Sequence, residues 1–468
     1  MGTKQGSKSV RQYEYGKLYR SEDKIYPREI NGRFQRLRRL AVFVLLGLFY
    51  AVPWLTWNGR QAVLFDLPAR KFHIFSLTLW PQDFVYLALL LIILAVSLFF
   101  FTALAGRLWC GFACPQTVWT EAFVWIEQAI EGNRSQRMKL DKRPWTLDKI
   151  WRKTAKQFLW VLLALFTGFA FVGYFVDIRE LAVHLATFTA GPWEWFWVLF
   201  YGFATYGNAG FMREQVCKYM CPYARFQSAM FDKDTLIITY DEQRGEPRGA
   251  RRRGSDPALK GLGDCIDCTL CVQVCPTGID IRKGLQYECI ACAACIDACD
   301  SVMDKMEYPR GLIRYSTEHS LHNEPYRLWR PRTLVYSGIL MLLVTGMVSL
   351  LVFRPPVILD VIRDRNALYR DIGRDGIENS YTVRVVNKRN QAQSYRLSVT
   401  GMSGLQLRGD TLIDVAGESV QTVPVSLVAP HAVAVGGNRI EFRLDSVDDP
   451  GISVTEESRF RGPNEDTR

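Results

Sequence analysis

Two runs of four cysteines carry the clearest chemistry in this sequence. Cys265-Ile-Asp-Cys268-Thr-Leu-Cys271-Val-Gln-Val-Cys275-Pro276 has the spacing C-x2-C-x2-C-x3-C-P, and Cys289-Ile-Ala-Cys292-Ala-Ala-Cys295-Ile-Asp-Ala-Cys299 repeats it. A [4Fe-4S] cube needs four thiolates. Three come from one tight loop and the fourth from afar, and in two-cluster ferredoxins the fourth cysteine of each run serves the other cluster. The spacing therefore assigns Cys265, Cys268, Cys271 and Cys299 to one cluster, and Cys289, Cys292, Cys295 and Cys275 to a second. The second run ends in Cys299-Asp300 where Cys-Pro is usual, which alters the turn but removes no ligand. Paired zinc sites also use C-x2-C units, but they rarely repeat four cysteines at these offsets twice. Small apolar residues between the ligands, among them Ile266, Ile290 and Ala291, would shield the clusters from water.

Four further cysteines form a second pattern. Trp109-Cys110-Gly111-Phe112-Ala113-Cys114-Pro115 and Val216-Cys217-Lys218-Tyr219-Met220-Cys221-Pro222 both read C-x3-C-P. At i and i+4 two thiols share one helix face. The proline that follows places the second thiol at a kink or a helix end. Four such thiols brought together suit Cu(I), with Met220 as an added thioether ligand. They also suit a third iron–sulfur cluster, or redox-active dithiols beside a quinol. The bland reading is inert cysteines packed at helix ends.

The elements that must position these residues are membrane helices. Five apolar runs are long enough to span a bilayer, at about Leu40–Trp57, Phe84–Ala105, Phe158–Val176, Trp193–Phe211 and Leu334–Phe353. The fourth carries Glu194 near its start and is rich in Trp, Tyr and Gly. About 36 polar, basic residues precede the first run, which therefore does not read as a cleavable signal peptide. The C-x3-C-P motifs follow the second and fourth runs, so the membrane part reads as a two-fold repeat. Lysine and arginine crowd the N-terminal segment, the loop from Arg134 to Lys156 and the segment from Arg213 to Arg332, while the intervening loops hold few. The positive-inside rule then places the N-terminus and every cysteine on the cytoplasmic face, and the C-terminus in the periplasm. A reducing compartment suits thiolate ligands. The net charge of +11 is accounted for by this orientation, which argues against nucleic-acid binding.

The tail alternates apolar and polar residues over Tyr381–Lys388, Ser394–Thr400, Val420–Leu427 and Arg439–Asp445, with turn-rich stretches between. An antiparallel sandwich of immunoglobulin type without its disulfide fits this pattern, and a docking surface for a partner is its expected use. His431 reads as a surface residue. No span contains a histidine, so a transmembrane haem is not expected. Asp264, Asp267, Asp280, Asp297 and Asp300 flank the clusters and read as a solvated face, open to a cationic donor or a metal ion.

The order of spans, both C-x3-C-P motifs, the double ferredoxin run and the β tail together resemble the CcoG/FixG/RdxA-type cytochrome c oxidase accessory proteins over nearly the whole chain. The resemblance implies a multi-domain protein. Residues 1–39 would be a basic cytoplasmic segment and 40–231 a four-helix transmembrane region. A two-cluster ferredoxin domain would occupy 232–330, a fifth helix 331–354 and a periplasmic immunoglobulin-like sandwich 355–468. It also implies a cupric reductase of the bacterial inner membrane, loading copper into a haem–copper oxidase. Its partners would be oxidase assembly factors or copper transporters and chaperones, with an unidentified cytoplasmic electron donor. Cys110, Cys114, Cys217 and Cys221 would then be catalytic and metal-binding, holding copper or a third cluster. Two alternatives stay open: a quinol-oxidising subunit of NapH type, and a scaffold whose clusters are structural.

Overall fold

The computed structural model describes residues 24–257, 260–321, 324–365 and 367–463. Lys4, Lys8, Arg11, Lys17 and Arg20 of the basic N-terminal segment lie outside the described residues. The chain forms two compact units, one of residues 1–56 and 94–339, the other of 57–93 and 340–468.

Among the described residues four helices are long and apolar enough to cross a membrane: Arg33–Trp54, Pro81–Ala105, Leu147–Val172 and Pro331–Val352. These apolar helices make the chain a membrane protein. The expected span at Trp193–Phe211 differs. An α-helix covers Pro192–Thr205, and the chain continues as π-helical turns over Tyr206–Met212. Gly207, Asn208 and Gly210 are weak helix formers, and the wider turn is closed by the Arg213 N–H on the Asn208 carbonyl at 2.7 Å.

Within the first unit, the two cysteine runs fold as a repeat. Strand Ile237–Tyr240 pairs antiparallel with Ile313–Ser316, and the runs lie between them. Each ligand loop turns through left-handed residues at matching positions, Asp267 and Thr269 in the first run and Ala291 and Ala293 in the second. Each then enters a helix. The first is a single turn, Leu270–Gln273, stopped before Cys275-Pro276; the second runs Ala294–Met306 straight through Cys299. Asp300 in place of proline is what lets it continue.

The second unit holds the β sandwich. One sheet contains strands Val357–Arg363, Ile377–Asn387, Gln406–Arg408 and Ser419–Ala429, with Arg370–Asp371 at its margin; the other contains Gln393–Thr400, Leu412–Val415, Gly437–Ser446 and Ser453–Arg461. Alternate side chains turn inward, and Tyr381, Tyr395, Leu427, Phe442 and Phe460 fill the core. The segment read as a plain loop, from Trp57 to Asp83, carries its own small sheet of Val63–Asp66, Lys71–Ile74 and Leu77–Leu79. It is fixed to the sandwich by ion pairs. Buried Asp83 accepts from Arg354 and, at 2.8 Å, from Lys388, whose side chain is 4% exposed. Glu418 accepts from Arg60 and from Thr78 Oγ1 at 2.8 Å, and its carbonyl accepts from Lys71 at 2.9 Å. His73 hydrogen-bonds Thr78, and His431 bonds the Gly373 carbonyl at 2.8 Å.

Candidate functional site

Both C-x3-C-P motifs solve the same local problem in the same way. Cys114 and Cys221 are N-cap residues, each followed by proline at the first helical position of Pro115–Glu131 and Pro222–Met230. Proline is favoured there because its missing N–H would have had no helical partner. The N–H groups of Gln116 and Thr117 point at the Cys114 sulfur. The first thiol of each pair sits upstream in a short helical piece: Leu108–Phe112 for Cys110, and the π turn Val216–Met220 for Cys217. The Cys114 N–H bonds the Trp109 carbonyl at 2.9 Å and the Cys221 N–H bonds the Val216 carbonyl at 2.8 Å, a five-residue closure in both. The expected i, i+4 helix face is therefore replaced by a wide turn, because proline ends one helix and starts the next.

The two pairs meet. Cys110 feels the charge of Cys114 and, across the motifs, of Cys217; Cys217 feels that of Cys221 and, across the motifs, of Cys114. Burial, with the neighbouring thiols, pushes Cys110 up to about 12 and Cys217 to about 11. Burial also raises Cys114, against the helix N–H groups of Gln116 and Thr117 that donate to its sulfur. Such thiols give up protons only when a cation replaces them. Arg107 is the cation already present. It is buried and donates to the carbonyls of Tyr287 and Ala224, and to that of Cys289 at 3.3 Å. Burial depresses its guanidinium, while the charges of Cys110, Cys289, Cys217 and Cys221 sustain it. Cys110 donates to Gln227 at 3.3 Å. Neither Arg107 nor Gln227 stood out in the sequence; the available signal was an arginine directly after an apolar span and three residues before a cysteine.

The first motif also presses on the ferredoxin fold. A Cβ on Gly111 would come within 2.8 Å of the carbonyls of Ile290 and Ala291, the ligand loop of the second run. Cys110 packs on the apolar cluster of Val274, Ile290, Cys292 and Ala298. A second tie runs through Asp297. Its carboxylate accepts from the N–H groups of Gln35 at 2.7 Å and Phe34 at 3.2 Å, capping the first membrane helix from 263 residues away. The N-cap, Gly32, has no side chain to do so.

The eight ferredoxin cysteines line two cavities. One, of about 20 Å³, is walled by Cys265, Cys268, Cys271 and Cys299; the other, also of about 20 Å³, by Cys275, Cys289, Cys292 and Cys295 with Cys271 at its edge. The remaining walls are mostly apolar, including Ile281, Ile290, Val302 and Leu312. No three thiols, imidazoles or carboxylates among the described residues close on a single ion. Thiols spread around a void suit a cluster rather than one ion, so the residues fit iron–sulfur cubes. Burial raises Cys271 to about 11 and Cys289 and Cys299 to about 12, so these sulfurs also need bound metal to ionise.

The flanking carboxylates differ from their reading as a solvated face. Asp264 pairs with Arg244, Asp267 and Asp280 pair with Arg282, Asp300 accepts from the Gly311 N–H, and Asp297 is the buried cap. Beside the thiols, a chamber of about 90 Å³ is lined by Gln116, Glu121, Trp125, Glu214, Cys217 and Ile290, among others.

Apolar helices, paired cluster-ligand loops and a thiol group between them define a membrane-bound iron–sulfur electron-transfer protein. Comparison with known proteins agrees. A 4Fe-4S binding domain is matched over residues 87–132, a 4Fe-4S dicluster domain over 212–318, and the IG-like fold at the C-terminus of FixG over 347–463. The chain is 40% identical to RdxB of Cereibacter sphaeroides, covering 91% of this chain and 93% of that protein, and 39% identical to RdxA of the same organism, covering 92% and 96%. It is 39% identical to the nitrogen fixation protein FixG of Rhizobium meliloti, over 84% and 82%. The chain belongs to the FixG/RdxA family.

Proposed function

We propose that this protein reduces Cu(II) to Cu(I) at the four C-x3-C-P thiols, on the cytoplasmic side of the inner membrane, to supply copper for assembling a haem–copper oxidase. The observation that carries the reading is the seat of the Cys110 turn against Ile290 and Ala291, which puts a soft thiol group directly on an electron-storing loop. In this reading Cys265, Cys268, Cys271 and Cys299 hold one cluster, and Cys289, Cys292, Cys295 and Cys275 the other. When bound, the clusters supply one-electron storage at two neighbouring positions. Cu(II) enters a chamber whose Glu29 and Glu214 carboxylates and Gln116 amide offer the oxygen ligands it favours. Each ion takes one electron and becomes Cu(I), which thiolates hold better. The thiols thus retain the product for transfer, and the protons they lose balance the bound charge. With the helix Pro192–Thr205 and its π-helical continuation taken as a fifth crossing, the sandwich would be periplasmic and would serve as the docking surface for an assembly partner.

The test is an anaerobic titration. The reduced protein receives Cu(II) in steps while cluster absorption and trapped Cu(I) are followed. Matching cluster reoxidation and Cu(I) yield in wild type, lost in a Cys110→Ala, Cys217→Ala variant with full iron content, is expected. Wild-type clusters that stay reduced, or reoxidise without Cu(I), exclude direct copper reduction.

One observation favours a second reading, quinol oxidation. The chamber beside Cys217 shares Glu29, Arg39, Trp125 and Gln128 with an open cavity reaching Phe43, a two-thirds exposed residue of the first membrane helix. That is a lateral mouth for a lipid-dissolved molecule. Reduction of the oxidised protein by a short-chain quinol without other donor would support it.

A further inference from the structure

The two thiol-lined cavities differ in their access to solvent. Around the second run, Ile290, Ala291, Cys292, Ala293 and Ala294 are all buried. At the matching place in the first run, Asp267, Cys268 and Thr269 are exposed. An iron–sulfur cluster gains negative charge on reduction, and burial disfavours that charge. By solvation alone an electron would therefore stay at the first cavity, on the surface and away from the C-x3-C-P thiols.

The fixed charges work the other way. At the first cavity Arg282 faces two carboxylates, Asp267 and Asp280, and Asp300 adds negative charge beside Cys299. At the second, buried Arg38 beside Cys292 is matched by Glu121 at 2.8 Å. Asp297 is held by the N–H groups of Phe34 and Gln35, and Glu288 bonds the exposed Tyr287 hydroxyl. Arg107 is the difference. It is 4% exposed, and its hydrogen bonds go to carbonyls: those of Tyr287 and Cys289 in the ligand loop, and that of Ala224 in the helix after the second C-x3-C-P motif. No carboxylate pairs with it among the described residues, and its buried Nε has no acceptor there. A cation left uncompensated in a place of low dielectric acts strongly on its neighbours.

We propose that Arg107 raises the reduction potential of the cluster position formed by Cys289, Cys292, Cys295 and Cys275 above that of the other, so that a single electron rests beside the C-x3-C-P thiols. The inference rests on the cluster assignment of the proposed function and is independent of copper. Arg107 is a positioning residue, acting through its charge and through the ligand loop it grips. Net charge, hydrogen bonding and solvent exposure are the protein's means of setting such a potential, and here one buried guanidinium supplies charge to the position that burial would otherwise disfavour.

The test uses the full chain with both clusters and no copper. Wild type reduced by one electron is frozen, and the electron paramagnetic resonance of the reduced cluster is recorded with and without a water-borne dysprosium chelate. Its relaxation should change little, because the shielded position holds the electron. Marked acceleration would put the electron at the surface cavity and overturn the proposal, whether or not any variant holds iron. A potentiometric titration then compares the two midpoints in Arg107→Gln and Arg107→Lys. In Arg107→Gln the higher midpoint should fall by roughly tenfold or more in the reduction equilibrium, about 59 mV for one electron, while the lower stays put. Arg107→Lys keeps the charge and should stay near wild type. Equal falls in both midpoints, or no fall in an Arg107→Gln protein of full iron content, overturn the proposal. Neither readout involves Cu(I), so failure here leaves the copper reading standing.

Discussion

Asp297 offers a sharp test of how the ferredoxin fold is joined to the first membrane helix. Its carboxylate accepts two N–H groups at 2.7 and 3.2 Å in a buried place. Losing an N-cap acceptor costs about 0.5–2 kcal/mol, and losing a negative charge at a helix N-terminus costs about 0.3–1 kcal/mol more. Asp297→Ala should therefore destabilise by roughly 2 kcal/mol, which in a unit of this size lowers Tm by roughly 4–8 °C. Gly32 supplies an independent route to the same loss. Its backbone is extended, so any residue could adopt the angles, but a Cβ there would fall 2.1 Å from the Asp297 carboxyl carbon. Gly32→Ala must evict the cap. The double variant should then cost little more than the worse single one, because both remove one interaction. Thermal unfolding in detergent, followed by tryptophan fluorescence at fixed iron content, reads all three. Additive losses, or an Asp297→Ala protein as stable as wild type, would refute the reasoning.

Gly111→Ala meets two backbone carbonyls at 2.8 Å, which cannot swing aside. It should cost about 1–3 kcal/mol by overpacking, and, by lifting the Cys110 turn from the ligand loop, slow Cu(I) formation while dithionite still reduces the clusters at the wild-type rate. Glu127 is buried against Arg213 at 2.5 Å and Lys24 at 3.3 Å; burial opposes its charge, but these cations hold it down at about 2, from 4.5. A depressed carboxylate stabilises above its unfolded value and loses that stability as pH falls. Glu127→Gln should thus cost about 3–5 kcal/mol at neutral pH, and the gap in unfolding free energy between variant and wild type should close between pH 4.5 and about 2.

The parts of the molecule written in local spacing were readable from sequence. C-x2-C-x2-C-x3-C repeats itself, an apolar run of 22 residues such as Phe84–Ala105 needs no partner to be recognised, and period-two alternation gave the sandwich strands. The proline after Cys114 and Cys221 announced a helix boundary, although only the structure shows that each thiol caps the next helix. What was hidden depended on distant pairs. Five aspartates near the clusters look alike in one dimension, yet one caps a helix, three are held by arginines and one accepts from a backbone N–H. Arg107 was passed over for the same reason, since its carbonyl partners lie in two other segments. The fourth expected span was read by hydropathy alone, which does not register that glycines and asparagine open a helix into π turns.

The ties from Asp83 to Lys388, and from Arg60 and Thr78 to Glu418, also set a schedule for biosynthesis. The segment from Trp57 to Asp83 leaves the ribosome long before its partners exist. At about 5–20 residues per second, the roughly 300 residues between Asp83 and Lys388 take on the order of 15–60 s to make. Through that interval the young segment holds a small sheet complete in itself but an aspartate, a lysine and an arginine whose partners are still unmade. Completion of the last domain is what retires that vulnerability, so a chain cut short before Lys388 is marked at its first loop as well as at its end.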